Sequence, residues 1–312
     1  MEPLCRCPMP ALIVGIGELL WDVYPDGRKV AGGAPFNFAY HCHNLGHRAV
    51  MVSSVGDDLG RQLRERVREL GLSDEFIQTD PHHPTGTVRV TVDAGGQPSY
   101  ETVESVAWDH IAWTPELESL AARCDAVCFG TLAQRHAVSG TTIPAVPRPR
   151  GSGVGNYALR VFDINLRQHF YAIDSLTWSL WRSHTVKVNT RELRTVAELL
   201  GLAGDSEAEL VRGLFRFSAA ETRVVIVTDG EDGCRIYPER GDVVREPGVP
   251  ANVADTVGAG DTFTAAMVCL TLEGKPPAEC ARFAVRYAAQ VCEHAGGTPL
   301  VDRGEVERAI RL

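Results

Sequence analysis

The sequence predicts an α/β protein, in which a mostly parallel central sheet carries helices on both faces and a small antiparallel sheet forms a lid. The first observation is a series of short apolar runs that alternate with helix-like segments along the 312-residue chain. Continuous apolar strands separated by helices are typical of a parallel sheet that is buried on both faces. The second observation is a pair of hairpin patterns in the first third of the chain, which interrupt this alternation.

Six apolar runs supply the predicted strands, and each ends in polar or glycine residues. The runs are ALIVGIGE (11–18), MVSSVGDD (51–58), AVCFGTLAQR (126–135), VFDINLR (161–167), VKVNTRE (186–192) and VVIVTDG (224–230). Helix-like segments separate them at 59–70, 114–123, 191–200 and 206–219. In such sheets, ligands bind at the carboxyl ends of the strands. We therefore expect one catalytic edge, formed by the residues that end the runs: Asp57, Gln134, Asp163, Asn165, Arg167, Asn189, Glu192, Thr228 and Gly230.

Two segments with strand alternation predict the lid. TVRVTVD (87–93) alternates valines with polar residues and then turns through AGGQP, which indicates a hairpin with one apolar face. WDVYPDGRKVAGG (21–33) turns at Pro25-Asp26-Gly27. We expect the lid to comprise about residues 19–33 and 85–110 and to project over the catalytic edge. Its exposed apolar face would favour a homodimer through the lid. The Pro- and Gly-rich stretch at 144–156 is interpreted as a loop.

Composition and charge argue against several classes of protein. The formal net charge is −9 and no basic run is present, which argues against nucleic-acid binding. The N-terminal apolar run is interrupted by Glu18 and Asp22, is too short to span a membrane, and lacks a signal-peptide cleavage site. The nine cysteines include no CxxC pair, so reduced thiols and a cytoplasmic location are expected. The ten histidines, including His82 and His83, lack ligand spacing and are interpreted as surface or packing residues.

Several familiar catalytic motifs are missing from the sequence. It contains no GxxxxGK[ST] phosphate loop and no GxSxG elbow, which argues against a P-loop NTPase and an α/β hydrolase. Gly15 and Gly17 follow the first predicted strand, but Leu20 occupies the place of the third glycine in a dinucleotide-binding fingerprint. A dehydrogenase is therefore disfavoured.

The stretch ADTVGAGDTFTAAM (254–267) places three small residues before a carboxylate. Gly258, Ala259 and Gly260 precede Asp261, and apolar residues then recur with helical spacing from Phe263. The N-terminus of a helix attracts anions, because its backbone N–H groups are unpaired and its dipole is positive there. Asp261 is therefore either an ordinary stabilising carboxylate at a helix N-terminus or a group with a chemical role beside a bound anion.

Three further patterns could contribute to the same edge. The TDGEDG loop (228–233) follows a predicted strand and would suit a phosphate or a ribose. Asn189 and Glu192 end another strand with N-x-x-E spacing. This pair is either a helix cap with a capping-box glutamate or a source of oxygen ligands for hydrated Mg²⁺. GGAPFN (32–37) opens a helix with little side-chain bulk.

Together, these motifs resemble those of the PfkB/ribokinase family of carbohydrate kinases. ADTVGAGDTFTAA is similar to the family's C-terminal signature, GGAPFN to its glycine-glycine motif and GELLWD to its first-strand sugar motif. SSVGDDLG, KVNTREL and VTDGEDG resemble its glycine-aspartate turn, its N-x-x-E motif and its nucleotide loop. FDINLR and FGTLAQR are most similar to the fructokinase-like branch. The resemblance implies a single ribokinase-like domain over residues 11–312, with a Rossmann-like sheet and a β lid that is often used for dimerisation.

The resemblance also implies a role for each candidate residue. Asp261 would be the general base for a sugar hydroxyl, and the backbone amides of Gly258, Ala259 and Gly260 would bind the transferred phosphoryl group. The residues implied for the acceptor sugar are Asp22, Gly32, Gly33, Asn37 and Arg167. The residues implied for the nucleotide are Asn189, Glu192, Thr228, Gly230 and Gly233, of which Asn189 and Glu192 would also hold Mg²⁺ through water. Asp255 would bind K⁺ together with main-chain carbonyls of HAGGTP (294–299).

The implied reaction is transfer of the γ-phosphoryl group of ATP to a primary hydroxyl of a free sugar. Fructokinase-like motifs favour D-fructose, and SYETVESVAWD in the lid presents carboxylates where a phosphorylated or acidic sugar would need basic residues. That segment lacks the arginine of several fructokinases and ketodeoxygluconate kinases, so ribose, a nucleoside and 2-keto-3-deoxygluconate are alternatives. Asp229 stands where the family commonly has an apolar residue, which leaves the nucleotide preference open. A non-catalytic sugar-sensing protein on the same fold is a further alternative, disfavoured by the intact catalytic motifs.

Overall fold

The computed structural model describes residues 10–92, 98–146, 158–218 and 221–311. Its strands are β1 (Leu12–Ile16), β2 (Leu20–Val23), β3 (Lys29–Gly32), β4 (Arg48–Gly56), β5 (Ile77–Asp80), β6 (Gly86–Val92), β7 (Pro98–Thr102), β8 (Ala126–Phe129), β9 (Leu159–Asp163), β10 (Thr185–Asn189), β11 (Val224–Thr228), β12 (Cys234–Pro238) and β13 (Val244–Glu246). Its α-helices are α1 (Ala34–Asn44), α2 (Gly60–Glu69), α3 (Pro115–Arg123), α4 (Ala137–Thr142), α5 (Ile173–Leu180), α6 (Thr190–Leu199), α7 (Glu207–Phe217), α8 (Ala259–Leu272), α9 (Pro277–Cys292) and α10 (Arg303–Arg311).

The larger sheet confirms the predicted α/β architecture. Its strand order is β13-β12-β11-β10-β9-β8-β1-β4-β5. The seven neighbouring strands β11, β10, β9, β8, β1, β4 and β5 pair in parallel. β12 pairs antiparallel with β11, and β13 pairs antiparallel with β12, so these two strands extend one side of the sheet. The six predicted apolar runs correspond to β1, β4, β8, β9, β10 and β11. The other three strands are absent from the predicted set, because IQTD, CRIYP and VRE are short and mix polar with apolar residues.

Alternate residues of β1 show that the sheet separates two apolar cores. Ile13 packs in one core with the helix residues Phe36 and Phe263. Val14 packs in the other core with Leu193. Both strand residues are fully buried, as is typical of a parallel strand between two layers of helices. This double burial explains why the predicted strands are continuous apolar runs rather than alternating ones.

The small sheet has the strand order β3-β2-β6-β7 and lies within the predicted lid segments. Its two hairpins are antiparallel, but they join through parallel pairing between β2 and β6. Residues 94–97 of the predicted AGGQP turn lie outside the described residues. Val88 and Val90 of the apolar face are 7% and 2% exposed. These two valines are therefore covered by other parts of the same chain. They do not form the exposed apolar face from which a homodimer through the lid is expected.

The remaining predicted segments agree closely with the structure where it describes them. α2, α3, α6 and α7 begin and end within two residues of the predicted helical segments. Of the predicted loop at 144–156, only residues 144–146 are described, and a short 3-10 helix at Ile143–Ala145 includes two of them. None of the helices in the described part of the chain is both long and apolar enough to cross a membrane.

Candidate active site

The carboxyl edge of the larger sheet gathers most of the predicted site residues. Glu18 follows β1, and Asp163, Asn189 and Thr228 are the last residues of β9, β10 and β11. Asp261 lies in the first turn of α8. A parallel sheet brings the ends of its strands to one edge, so residues far apart in sequence meet there. Of the other predicted edge residues, Asp57 is exposed after β4, and the amide of Gln134 is bonded to Gly130 and Ser179.

Asp261 is held by a side chain from the start of α1. The Asn37 amide Nδ2 donates a hydrogen bond of 2.8 Å to Asp261 Oδ2. Burial raises the pKa of Asp261 to about 6, and the nearby carboxylate of Asp163 adds to the increase. The Asn37 amide, the Lys187 ammonium and the Arg167 guanidinium oppose this change. A carboxylate with a pKa near 6 is mostly ionised at neutral pH and yet basic enough to accept a proton.

The residues of the predicted anion site lie at the N-terminal end of α8. The first hydrogen bond of the helix runs from the Thr262 N–H to the Gly258 carbonyl, at 2.8 Å. The N–H groups of the preceding residues point out of the helix end, although that of Ala259 also approaches the Thr256 carbonyl at 3.3 Å. Gly258 has φ 77°, and a Cβ there would lie 2.7 Å from the Gly297 Cα. Only glycine therefore fits at this position.

Lys187 is a charged group at this helix end that the sequence analysis did not single out. A Cβ added to Gly260 would lie 2.9 Å from the Lys187 Nζ, so the ammonium group sits directly against the glycine backbone. Lys187 forms a buried ion pair of 3.1 Å with Asp163, whose other oxygen accepts a 2.7 Å hydrogen bond from Thr264. Burial would lower the pKa of Lys187, but the carboxylates of Asp163, Glu192 and Asp261 outweigh it and raise the pKa. Lys187 is thus a fixed positive charge.

Glu18 is the second titratable residue that the sequence analysis did not assign to the site. It is 4% exposed, and its Oε1 accepts a 3.3 Å hydrogen bond from the Ala34 N–H. Its Oε2 is buried and has no hydrogen-bond partner among the residues that the structure describes. Burial raises the pKa of Glu18 to about 7, with a further increase from the Asp261 carboxylate and a decrease from Arg167. Glu18 and Asp261 are therefore coupled carboxyl groups.

The predicted acceptor residues of the small sheet surround a second carboxylate. A Cβ added to Gly32 would lie 2.7 Å from Asp22 Oδ2, and one added to Gly33 would lie 2.2 Å from the Glu18 carbonyl oxygen. Gly32 therefore allows close approach to the Asp22 side chain on the paired strand β2, and Gly33 allows the start of α1 to pack against the backbone at Glu18. Burial raises the pKa of Asp22 to about 6, and the Asp255 carboxylate adds to the increase.

Arg167 is exposed, unlike the other predicted acceptor residues. Its Nη1 donates a 3.3 Å hydrogen bond to the adjacent Leu166 carbonyl. Its charge lowers the pKa values of both Glu18 and Asp261, which places the guanidinium near them. The loop that carries it is tied to the first turn of α6, because Glu192 Oε1 accepts a 2.9 Å hydrogen bond from the Leu166 N–H.

Asn189 and Glu192 form the capping box at the start of α6. Asn189 Oδ1 accepts a 2.8 Å hydrogen bond from the Glu192 N–H, and Glu192 Oε2 accepts a 2.9 Å hydrogen bond from the Asn189 N–H. The structural interpretation of the N-x-x-E motif is therefore realised. Each carboxylate oxygen has a second lone pair, so a hydrated Mg²⁺ could still be bound through water.

The predicted nucleotide loop combines an open glycine with a tightly packed one. Gly230 has φ 56°, and no atom lies within 4 Å of a Cβ built there. A Cβ at Gly233 would lie 2.2 Å from the Glu246 carbonyl oxygen, so Gly233 serves the packing of β12. Asp229, which precedes Gly230, pairs with Arg235 at 3.2 Å. The Asp229 carboxylate is therefore paired with an arginine of β12.

Asp255 connects the two segments of the predicted K⁺ site. Its Oδ1 accepts a 3.0 Å hydrogen bond from the Val257 N–H, and its Oδ2 accepts a 2.9 Å hydrogen bond from the Gly296 N–H. The neighbouring Gly297 carbonyl contacts His41 Nε2 at 3.0 Å. The structure thus brings Asp255 and the HAGGTP loop together, next to Gly258.

A carboxyl group with a raised pKa and a lysine lie beside a glycine-rich helix N-terminus, an arrangement that suits phosphoryl transfer. A family profile described as "pfkB family carbohydrate kinase" matches residues 24–303. The chain therefore belongs to the pfkB family of carbohydrate kinases, which are phosphotransferases with an alcohol group as acceptor. The family assignment and the ribokinase-like fold expected from the sequence are confirmed.

Three similar proteins illustrate the relationship. Fructokinase-2 of Oryza sativa subsp. japonica is 26% identical over 280 residues, which cover 83% of this chain and 79% of the relative. An uncharacterised sugar kinase from Pyrococcus horikoshii in complex with ATP has a TM-score of 0.77 at 26% identity, covering 96% of this chain and 99% of the other. A structure described as ribokinase II from Escherichia coli in complex with ATP and Mg²⁺ has a TM-score of 0.79 at 18% identity, covering 97% and 99%.

Proposed function

We propose that this sugar kinase is an ATP- and Mg²⁺-dependent fructokinase in which Asp261 is the general base. The observation that carries the proposal is the position of Asp261 in the first turn of α8, bonded to Asn37 at 2.8 Å and with its pKa raised to about 6. The acceptor hydroxyl would give its proton to Asp261 while its oxygen bonds to the γ-phosphorus of ATP, and the bond from that phosphorus to the ADP oxygen would break. Positioning and charge stabilisation dominate catalysis of this type.

The charge that develops on the transferred group would be stabilised by the helix end and by Lys187. The backbone N–H groups at Gly258, Ala259 and Gly260 supply partial positive charge. The Lys187 ammonium adds a full charge beside Gly260, and its ion pair with Asp163 fixes its position. A buried, paired lysine reaches a phosphoryl oxygen without reorganisation during the reaction, which makes the stabilisation effective.

The nucleotide would lie along the ends of β10 and β11. Asn189 and Glu192 would hold Mg²⁺ through water, and Thr228, Gly230 and Gly233 would contact the nucleotide. The bound ATP and Mg²⁺ described for structures with the same fold support the use of these two ligands. The open space at Gly230 fits close approach of a ligand to the backbone. K⁺ would bind near Asp255 and the HAGGTP carbonyls and would stabilise the N-terminal end of α8.

The acceptor pocket favours a neutral polyol. Asp22, Asn37 and Glu18 offer carboxylate and amide groups, which accept hydrogen bonds from hydroxyls, and the amide also donates them. Gly32 and Gly33 allow the sugar to approach the lid and the start of α1. A phosphorylated or acidic sugar would be repelled by the carboxylates, with Arg167 as its main counter-charge. The name of the rice relative, fructokinase-2, adds support for fructose within this class.

The proposal is tested by measuring ADP release with a panel of acceptors at fixed MgATP. We expect the highest kcat/KM with D-fructose, in comparison with D-ribose, a nucleoside and 2-keto-3-deoxygluconate. A higher value for one of the other acceptors would reject the fructokinase assignment and leave the sugar kinase intact. ADP release that no sugar stimulates would favour the sugar-sensing alternative.

Two statements about the cellular form of the protein are proposals as well. A cytoplasmic location is supported by the described cysteines, which form no disulfide with one another. A homodimer through the lid is supported by the edge strands β3 and β7 of the small sheet, which leave backbone groups for pairing with a second copy. Sedimentation of the purified chain tests the second statement.

A further inference from the structure

A cluster of three histidines and one aspartate lies where the end of β5 meets the connections to the β6/β7 hairpin, and it includes none of the candidate active-site residues. Asp80 is the last residue of β5, and His83 lies in the connection from β5 to β6. His110 ends the 3-10 helix Ala107–His110, which follows β7. His136 precedes α4. The β6/β7 hairpin therefore has one histidine just before it and another just after it.

The side chains of this cluster are in direct contact. His83 Nδ1 lies 2.8 Å from Asp80 Oδ2. The His83 and His110 rings are stacked, with centroids 3.7 Å apart and an interplanar angle of 14°. The His136 ring packs against His110 at 4.3 Å. One ligand atom from each of Asp80, His83 and His110 lies within 4.8 Å of the other two.

The donor set of the cluster suits a divalent cation. It combines one carboxylate with two imidazoles, and Zn²⁺ binds both kinds of ligand. Neither ring nitrogen of His110 has a hydrogen-bond partner among the described residues, so a lone pair of this ring is available to a ligand.

We propose that Asp80, His83 and His110 form a binding site for Zn²⁺, with water as the fourth ligand. Imidazole and carboxylate ligands suit Zn²⁺, whereas Mg²⁺ and Ca²⁺ bind mainly to oxygen. The ion takes the place of the proton between His83 Nδ1 and Asp80 Oδ2, and that proton is released to solvent. In a tetrahedral site with bonds of about 2.0 to 2.1 Å, these two atoms move apart to about 3.4 Å. The His110 ring turns out of the stack to direct a nitrogen at the ion.

The site would connect the small sheet to the central sheet. Asp80 belongs to the edge strand β5, while His83 and His110 lie on the two connections of the β6/β7 hairpin. A nearby buried ion pair already joins these regions, because Arg135 binds Asp109 at 2.7 Å. An ion on Asp80, His83 and His110 would hold both ends of the hairpin against β5 and would stabilise the folded chain by mass action.

The test uses the full chain after removal of metals with a chelator and without nucleotide. Titration calorimetry with ZnCl₂ measures the affinity, and the visible absorption of bound Co²⁺ reports nitrogen and oxygen ligands. We expect His110→Ala and His83→Asn to weaken Zn²⁺ binding by about 10-fold or more, a change of about 1.4 kcal/mol. The amide of His83→Asn retains a donor for Asp80, so this variant removes the imidazole with little change in the fold. His82→Ala is the matched control and keeps the affinity of the unaltered chain.

Melting temperatures separate metal binding from a structural role. Zn²⁺ is expected to raise the melting temperature of the unaltered chain and of His82→Ala, but not that of the two cluster variants. Equal Zn²⁺ affinity in all four proteins would overturn the proposal, because the ion would then bind elsewhere. Displacement of the Zn²⁺ by millimolar Mg²⁺ would overturn it as well, because it would assign the ion to the nucleotide site.

Discussion

The acceptor side and the nucleotide side of the candidate active site differ in how they hold their polar groups. On the acceptor side, burial raises the pKa values of Asp22 and Asp261 to about 6 and that of Glu18 to about 7. On the nucleotide side, Asn189 and Glu192 satisfy one another in a capping box. On the acceptor side, burial disfavours the ionised form of the carboxyl groups. On the nucleotide side, the polar groups already hydrogen-bond to one another.

This difference matches the two tasks of a kinase. The acceptor hydroxyl needs a base, and burial adjusts a carboxylate toward neutral pH. The nucleotide brings its own charge and its metal ion, so the protein has to position it. Variants on the acceptor side should therefore change turnover and its pH dependence, whereas variants on the nucleotide side should change the requirement for MgATP.

The largest effect is expected for Asp261→Asn. This variant removes the proposed base while keeping a hydrogen-bonding side chain beside Asn37, so we expect turnover to fall by at least ~10²-fold with ATP binding nearly unchanged. Steady-state ADP release and ATP titration measure the two quantities. Asp174→Asn, in the first turn of α5, is the control for a carboxylate at a helix N-terminus and should keep full activity. Near-normal turnover of Asp261→Asn would remove the base assignment.

The next largest effect is expected for Lys187→Met. Loss of the ammonium should lower kcat by about 10-fold or more, because a preorganised positive charge is removed from the phosphoryl site. It should also destabilise the fold by about 3 kcal/mol, since Asp163 is left as a buried unpaired charge. The double variant Lys187→Met/Asp163→Asn separates these effects in denaturant unfolding and activity assays. Stability should recover in the double variant and activity should not; recovery of both would make Lys187 purely structural.

On the nucleotide side, Glu192→Gln should raise the Mg²⁺ concentration for half-maximal rate by about 10-fold, as expected for a group that holds the metal through water. The kcat at saturating Mg²⁺ should change little. Glu209→Gln is the matched control, because Glu209 forms the same capping box with Ser206 at the start of α7. If both variants leave the Mg²⁺ dependence unchanged, Glu192 serves the fold alone.

Glu18→Gln is expected to have the smallest effect on turnover and the largest effect on how stability depends on pH. Glu18 has a pKa of about 7 and is therefore mostly protonated where Asp261 titrates, so its replacement should leave the acid limb of kcat/KM near pH 6 and change the pH dependence of stability instead. The pKa of Glu18 is higher in the folded chain than its usual 4.5, so the folded state binds the extra proton and loses stability as pH rises from about 4.5 to 7.

Glu18→Gln should therefore be more stable than the unaltered chain at pH 8, by roughly 1 to 3 kcal/mol, and similar to it at pH 4.5. Thermal or denaturant unfolding at the two pH values measures this difference. Glu65→Gln on the exposed face of α2 should show no such pH dependence. A destabilised Glu18→Gln at pH 8 would indicate that Glu18 forms a favourable interaction as an anion.

The fold could be predicted from the sequence because burial on both faces leaves a direct pattern. The six apolar runs are six parallel strands, and their polar ends meet at one edge. The antiparallel strands β12 and β13 do not follow this pattern, because they are short and mix polar with apolar residues. The parallel pairing of β2 with β6 depends on how two separate hairpins meet, which no local pattern specifies.

The candidate site could be predicted where a motif carries it and not where it depends on neighbours across the fold. Asp261 follows a recognisable glycine run, but Glu18 and Lys187 are single charges inside apolar runs. Their importance follows from proximity to Asp261, across more than 70 residues of sequence for Lys187 and more than 240 for Glu18. The histidine cluster is similar: His83 and His110 lie on opposite sides of a hairpin, so their contact is absent from any local spacing.

The pH dependence of kcat/KM for the best sugar, at saturating MgATP, tests the central claim most directly. Asp261 must be ionised to accept a proton, so the rate should fall on the acid side with a midpoint near pH 6. The residual rate of Asp261→Asn should lack this limb, which separates the titration of Asp261 from that of the nucleotide. An acid limb that persists unchanged in Asp261→Asn would contradict the assignment of Asp261 as the general base.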